Sequence, residues 1–184
     1  MTRIGVVLSF VLLACAPAKV ANPYKYNDRS RIDRDVTTSV APASQVRGRD
    51  GATVSLASLW QKQRVVVVFY MGGWCPHCKK QLGDLNKRQK EFADAGAVIV
   101  GISADAPEDA AALQDELALN FTLYGDPQLT VIGEWGVAET KANVAKPSTF
   151  IVEPGGTITF RKVGADMNDR PSTDEVLTAL QNSQ

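Results

Sequence analysis

The chain has 184 residues, a length that suits one domain with some extra at an end. Apolar residues make up 45% and charged residues 22%, the proportions of an ordinary globular protein. Lys plus Arg and Asp plus Glu number 20 each, so charge balance points neither to nucleic acid nor to an acidic surface.

In chain order, Arg3 precedes "IGVVLSFVLLA" at 4–14, a stretch without charge. It falls well short of the ~20 residues a helix needs to span a bilayer. A charged start, a short apolar core and a small residue at its end predict a secretory signal over 1–14. The plainer alternative is a buried N-terminal helix, but no amphipathic pattern supports it. Leu12-Leu13-Ala14-Cys15 resembles the lipobox of bacterial lipoproteins. The resemblance implies that Cys15 is lipidated and begins the mature chain, held to a membrane by acyl chains rather than a spanning helix. Ala16 after it is compatible with outer-membrane sorting. The expected location is the periplasmic side of a bacterial envelope, where disulfides persist.

Residues 15–45 carry Pro17, Pro23, Pro42 and many charges without an apolar period, and are expected to form a flexible, lipid-anchored tether. A strand or two added to the edge of the domain is the alternative. The domain itself is expected over 46–184. "DGATVSLASLW" at 50–60 predicts a turn, a short strand and a helical turn. Val65–Tyr70 is a continuous β-branched apolar run, as in a strand buried on both faces. Residues 75–95 switch to helical spacing, with Leu82, Leu85 and Phe92 on one side, and Gly96 can end that helix. "AVIVGIS" at 97–103 predicts a second buried strand, Pro107–Leu119 a helix with acids in its first turn, and 127–135 a short helix. "STFIVE" and "TITFRKV" flank Pro154-Gly155-Gly156 as a hairpin, and Thr173–Gln181 is a closing helix. The order β-α-β-α-β-β-α implies an α/β domain of thioredoxin-like plan, a mixed central sheet with helices on both faces.

The chemistry concentrates in "GGWCPHCKK" at 72–80. Cys75 and Cys78 stand where a buried strand gives way to a helix. Unpaired N–H groups and the helix dipole favour negative charge there, and the thiolate is the reactive form of cysteine. Cys75 is expected at the exposed mouth, with Cys78 one turn later beneath it. Pro76 suits an early helical position, whose N–H is not needed. Zinc would need four ligands, whereas His77 lies between the cysteines and no second CxxC follows. Lys79 occupies the position a haem-attachment motif gives to His. A structural bridge over two residues adds little by loop entropy. The pair is therefore read as a redox centre. His77, the single histidine, either helps hold a Cys75 thiolate by its charge or is a solvated surface residue. Trp74 is either packing or part of a substrate-receiving surface.

"VVVVFYMGGWCPHCKKQLGDL", "GAVIVGISAD", "LYGDPQLTVIGEWGV" and "KPSTFIVEPGGTITF" together resemble the redoxin group, the alkyl hydroperoxide reductase/thiol-specific antioxidant branch of the thioredoxin superfamily, over about residues 46–182. "WCPHC" is itself similar to the active sites of bacterial periplasmic disulfide oxidoreductases. The resemblance implies that Cys75 attacks and Cys78 resolves, and that Pro147 of "KPSTF" is the cis proline that faces the pair and offers backbone to a substrate strand; an ordinary edge-strand proline is the alternative. There are departures. Aligned on Phe69-Tyr70, Met71 falls where peroxiredoxins carry Pro, Cys75 where they carry Thr or Ser, and Cys78 at their peroxidatic cysteine. Arg170 of "DRPSTDEVL" resembles a peroxiredoxin arginine. Val68 stands where thioredoxins often have a buried acid, which leaves the Cys78 proton without an evident route.

The reading that follows is an exported thiol-disulfide oxidoreductase in which Cys75 attacks, a mixed disulfide forms and Cys78 resolves it. Its partners would be protein thiols or disulfides and an electron donor or acceptor, with no nucleic acid, and the dithiol requires no metal or organic cofactor. A thiol peroxidase, one cysteine becoming a sulfenic acid and the other condensing with it, is the alternative; a dithiol metal-binding module is a third reading.

Overall fold

The computed structural model describes residues 31–33 and 40–183. The expected signal at 1–14, Cys15 and most of the expected tether lie outside the described residues.

Eight strands make one sheet, and β4 (Arg64–Phe69) lies near its middle. The run Val65–Val68 forms a strand because β-branched side chains fit a pleated surface, and all four valines are buried, as a strand covered on both faces requires. β4 pairs in parallel with β5 (Ala97–Ser103), and β5 in parallel with β6 (Thr122–Gly125). On its other side β4 pairs antiparallel with β9 (Ser148–Val152), which forms the expected hairpin with β10 (Ile158–Val163) around Pro154-Gly155-Gly156. Three short strands complete the sheet: β1 (Arg31–Asp33) on β10, and the hairpin of β2 (Gln45–Arg47) and β3 (Thr53–Ser55), with β2 joined to β6. A separate two-stranded ribbon is formed by β7 (Ala138–Glu139) and β8 (Val144–Ala145).

Two of these strands reach into the span expected as a tether, in the manner of the alternative, strands added to the edge of the domain. Within 15–45, residues 31–33 add to one sheet edge, Val40 bridges Thr157, and the division at 45/46 falls inside β2. The reason is that edge pairing uses backbone N–H and C=O groups, so a charged segment with no apolar period can still add a strand. β6 is a further addition to the predicted order.

Side chains alternate between two cores. Val66, Val68 and Tyr70 face the layer of α1 (Pro76–Lys87), α2 (Gln89–Asp94), α3 (Pro107–Glu116) and α5 (Thr173–Asn182), which contribute Leu82, Leu85, Phe92, Leu113 and Leu177 among others. Val65, Val67 and Phe69 face the other way, onto Trp60, Phe150 and the short α4 (Thr130–Glu134) with Trp135 beyond it. Trp135 meets Phe150 edge-on with ring centroids 5.0 Å apart, and Phe69 lies 5.4 Å from the same indole. Such contacts add about 0.5–1.5 kcal/mol each beyond area burial.

The single helix expected over 75–95 is two. Arg88 leaves helical geometry at φ −110° and ψ 15°, and its guanidinium pairs with Glu91 and Asp174. The break redirects the chain so that Phe92 enters the same core as Leu82 and Leu85. α5 starts with a reciprocal capping box between Ser172 and Glu175, which fixes where the chain turns after Arg170. Among the described residues no helix is long and apolar enough to cross a membrane.

Candidate active site

β4 delivers Tyr70 and Met71, both buried, to the end of the sheet where α1 starts. The loop between them is drawn tight. Asp105, just past β5, accepts the Gly73 N–H at 2.8 Å and the Ser103 hydroxyl at 2.9 Å. A Cβ on Gly72 would lie 2.6 Å from Trp74 Nε1 and 2.9 Å from Asp105 Oδ1, so any larger residue there would displace one of these side chains.

Cys75 is the N-cap of α1, and Pro76 occupies the first turn. The Cys75 Sγ accepts the Cys78 N–H at 3.3 Å, in the manner of a capping side chain. The two thiols are unequal. A hydrogen bond from the Cys78 thiol, against the cost of burial and with further help from the Cys78 N–H, the Arg170 charge and the His77 N–H, pulls Cys75 down to about 6. The same contact with Cys75, together with burial, pushes the Cys78 thiol up, and Arg170 opposes that rise. At neutral pH the pair is thus one thiolate at Cys75 and one thiol at Cys78 that donates to it.

Two expectations need correction here. Cys75 is not at an exposed mouth: both sulfur residues have 0% exposure, because the Gly72–Trp74 loop folds down against Asp105 while Cys75 turns in to cap the helix. The Lys146–Pro147 bond is trans, since no cis peptide occurs among the described residues. Pro147 is buried, and its carbonyl accepts the Gly164 N–H at 2.8 Å, so that backbone is used inside the domain rather than offered to a substrate strand.

His77 acts on the thiolate through its backbone N–H, while its side chain is exposed. The cation that faces the pair is Arg170. Its guanidinium donates to Gln81 Oε1 at 3.0 Å and to the Met167 carbonyl, and its buried Nε has no hydrogen-bond partner. Arg170 and His77, with Lys80 and Gln81, line a cleft of about 360 Å³ on one side of the pair. On the other side Trp74, 54% exposed, borders a cleft of about 330 Å³ with Asp105, Leu113 and Glu116. Tyr70 and Thr149, neither of them singled out from the sequence, place further buried hydroxyls without hydrogen-bond partners on the cysteine face of the sheet. The signal for Asp105 and Ser103 was their position: polar residues just past the carboxyl end of a buried strand, where ligand sites in α/β sheets collect. No group of three or more His, Cys, Asp or Glu side chains that could hold a metal ion occurs among the described residues.

A mixed sheet layered with helices, a dithiol at the first turn of the helix after the central strand, and an arginine facing it define a thioredoxin-like thiol oxidoreductase. The AhpC/TSA family model matches residues 37–161, and the chain belongs to that family. Among relatives, a putative peroxiredoxin of Mycobacterium tuberculosis is 38% identical over 124 residues, covering 64% of this chain and 78% of that protein. Peroxiredoxin Bcp of Escherichia coli is 32% identical over 125 residues, covering 65% and 80%. The chloroplastic peroxiredoxin Q of Gentiana triflora is 31% identical over 148 residues, covering 79% and 68%. In fold the chain is similar to peroxidoxin BcpB of Mycobacterium tuberculosis, with TM-score 0.72 at 24% identity over 80% of this chain and 97% of that one. It is likewise similar to a Plasmodium vivax 2-Cys peroxiredoxin, with TM-score 0.70 at 19% identity over 79% and 80%.

Proposed function

We propose that the chain is a thiol peroxidase in which Cys75 attacks the peroxide and Cys78 resolves the product. The observation that carries this reading is a thiolate with no exposed surface and a guanidinium facing it. A small hydroperoxide reaches such a sulfur more readily than a folded protein disulfide does. The Cys75 thiolate attacks one peroxide oxygen; the S–O bond forms, the O–O bond breaks, and the leaving oxygen departs as water or alcohol with a proton. Arg170 faces the place where negative charge develops, which is where a fixed cation lowers a barrier most. Cys78 then attacks the Cys75 sulfenic acid, the S–S bond forms and water leaves; an external dithiol reduces the disulfide again.

The sequence ranks exchange with protein disulfides ahead of peroxide reduction. Relatives whose names say peroxiredoxin favour the opposite order. Alignment would put the attack on Cys78, but its thiol is held protonated and donates to Cys75, so the lower-pKa sulfur one turn earlier is the better nucleophile. Disulfide exchange stands as the second reading because the half-exposed Trp74 beside Cys75 offers a protein substrate an apolar contact. The chain is further proposed to be exported and anchored through lipid on Cys15, with a protein dithiol as its reductant; labelled fatty acid that enters wild type and Cys15→Ser alike would remove that anchor. The test of the activity is Cys78→Ser treated with hydrogen peroxide and a dimedone-type probe. A sulfenic adduct on Cys75 is expected; its absence, with mixed disulfides trapped instead, favours the second reading.

A further inference from the structure

Closing the disulfide requires the Cys78 proton to leave, yet Cys78 is wholly buried and Val68 on β4 supplies no carboxylate. A different set of groups lies on the same face. Val68 stands opposite Gly101 and Phe69 opposite Ile102 in the parallel register, and the Tyr70 N–H donates to the Ile102 carbonyl at 3.0 Å. Side chains alternate along a strand, so Tyr70 and Ser103, the next residue on each chain, both point to the cysteine face. Gly101 leaves the space: a Cβ there would lie 3.3 Å from Tyr70 Cε1 and 3.7 Å from Leu82 Cδ2. The Tyr70 ring thus lies between bare strand backbone and the face of α1 that carries Leu82 and, one turn earlier, Cys78.

The Tyr70 hydroxyl is buried beside the Ser103 side chain, with Asp105 and Cys78 near enough to act on it, and no hydrogen bond of good geometry satisfies it. A buried hydroxyl so poorly satisfied is costly, and a role in another state of the protein would account for its being kept. Ser103 Oγ donates to Asp105 Oδ2 at 2.9 Å, and Asp105 is part of the wall of the cleft beside Trp74. We propose that Tyr70, Ser103 and Asp105 form a proton relay that carries the Cys78 proton to the cleft as the disulfide closes. The Cys78 thiol gives its proton to Tyr70 Oη, the Tyr70 proton passes to Ser103 Oγ, and the Ser103 proton passes to the Asp105 carboxylate, which exchanges with solvent. Cys78 sulfur meanwhile bonds to Cys75 sulfur, and the group on Cys75 leaves with its electron pair. The groups facing Cys78 are Cys75, Arg170 and Tyr70; those facing Tyr70 are Cys78, Ser103 and Asp105. Arg170 favours the Cys78 thiolate once formed, and the relay gives its proton somewhere to go.

The relay rests on the reading that Cys78 resolves a modified Cys75, but its test needs no peroxide. In full-length reduced protein at mildly acidic pH, methyl methanethiosulfonate places a methylthio group on Cys75, the one thiolate of the pair. Closure with loss of methanethiol is then followed against pH by acid quench and mass spectrometry. Tyr70→Phe and Ser103→Ala should each slow closure about a hundredfold near neutral pH, the scale of a lost proton-transfer group, and recover speed as the pH is raised. Alkylation of Cys75 in a Cys78→Ser background should not change with either substitution. Asp105→Asn should slow closure similarly while also affecting the Gly73 loop. Closure at the wild-type rate and pH profile in both Tyr70→Phe and Ser103→Ala overturns the relay, as does an equal slowing of Cys75 alkylation, which would mean a distorted site. A protein inert to peroxide but relay-dependent in this assay would remove the peroxidase reading and leave the relay standing.

Discussion

Replacing Cys78 by Ala or by Ser should separate what holds the Cys75 thiolate. The largest contribution to its low pKa is the hydrogen bond from the Cys78 side chain. A hydrogen bond to a charged group is worth about 1.5–3 kcal/mol, and a thiol is a weak donor, so the lower end applies. At about 1.4 kcal/mol per pKa unit this is about one unit. Cys78→Ala should therefore move Cys75 from about 6 to about 7. It should stay below the ~8.5 of a free thiol, because the backbone N–H groups of residues 77 and 78 and the Arg170 charge remain. Cys78→Ser keeps an O–H donor and should hold the value near that of the wild type. The assay is the rate of alkylation by iodoacetamide against pH. The reactive fraction rises as the pH passes upward through the pKa, so the half-rate point moves to higher pH in the Ala variant and not in the Ser variant. Identical half-rate points in the two variants would refute the role of the Cys78 donor. An Ala value at or above that of a free thiol would refute the helix-cap and arginine contributions as well.

Arg170→Met should raise the half-rate pH of Cys75, because the charge that lowers both thiols is gone, and should slow the reaction with hydrogen peroxide by about tenfold or more in stopped-flow measurements. Gly125→Ala should destabilise the fold by about 1–3 kcal/mol in urea unfolding, since overpacking forces rigid backbone to move. Its Cβ would lie 2.5 Å from the Asp105 carbonyl and 2.6 Å from Pro107 N, so the loop that carries Asp105 would have to shift.

The elements that position the site were legible because each carries a strong local pattern. The valine run of β4, the helical spacing of Leu82 and Leu85, and the Gly-containing turn of the β9–β10 hairpin all lie where the sequence puts them. β6 escaped notice because Thr122–Gly125 is four residues long, too short for alternation to stand out, and owes its state to pairing with β5. β1 escaped for a related reason: "RID" has no apolar run, and edge pairing needs only backbone. The break at Arg88 coincides with ion pairs to Glu91 and to Asp174, the latter 86 positions away, a contact no window on the helix contains. At the site, Cys75 and Cys78 announced themselves by spacing and Arg170 by resemblance. The burial of Cys75 was not legible, because the loop before it is held by Asp105, which accepts the Gly73 N–H from beyond the end of β5. The grouping of Tyr70, Ser103 and Asp105 depends on the parallel register of β4 and β5, which joins residues more than 30 positions apart.

The central claim, that Cys75 is the sulfur that meets peroxide, is tested most directly by hydrogen peroxide consumption in the presence of a dithiol reductant, compared between wild type and Cys75→Ser. The account predicts turnover by the wild type and loss of turnover in Cys75→Ser. Turnover by Cys75→Ser close to the wild-type rate would place the attack on Cys78 and contradict it, and a wild type that consumes no peroxide would contradict the peroxidase reading altogether.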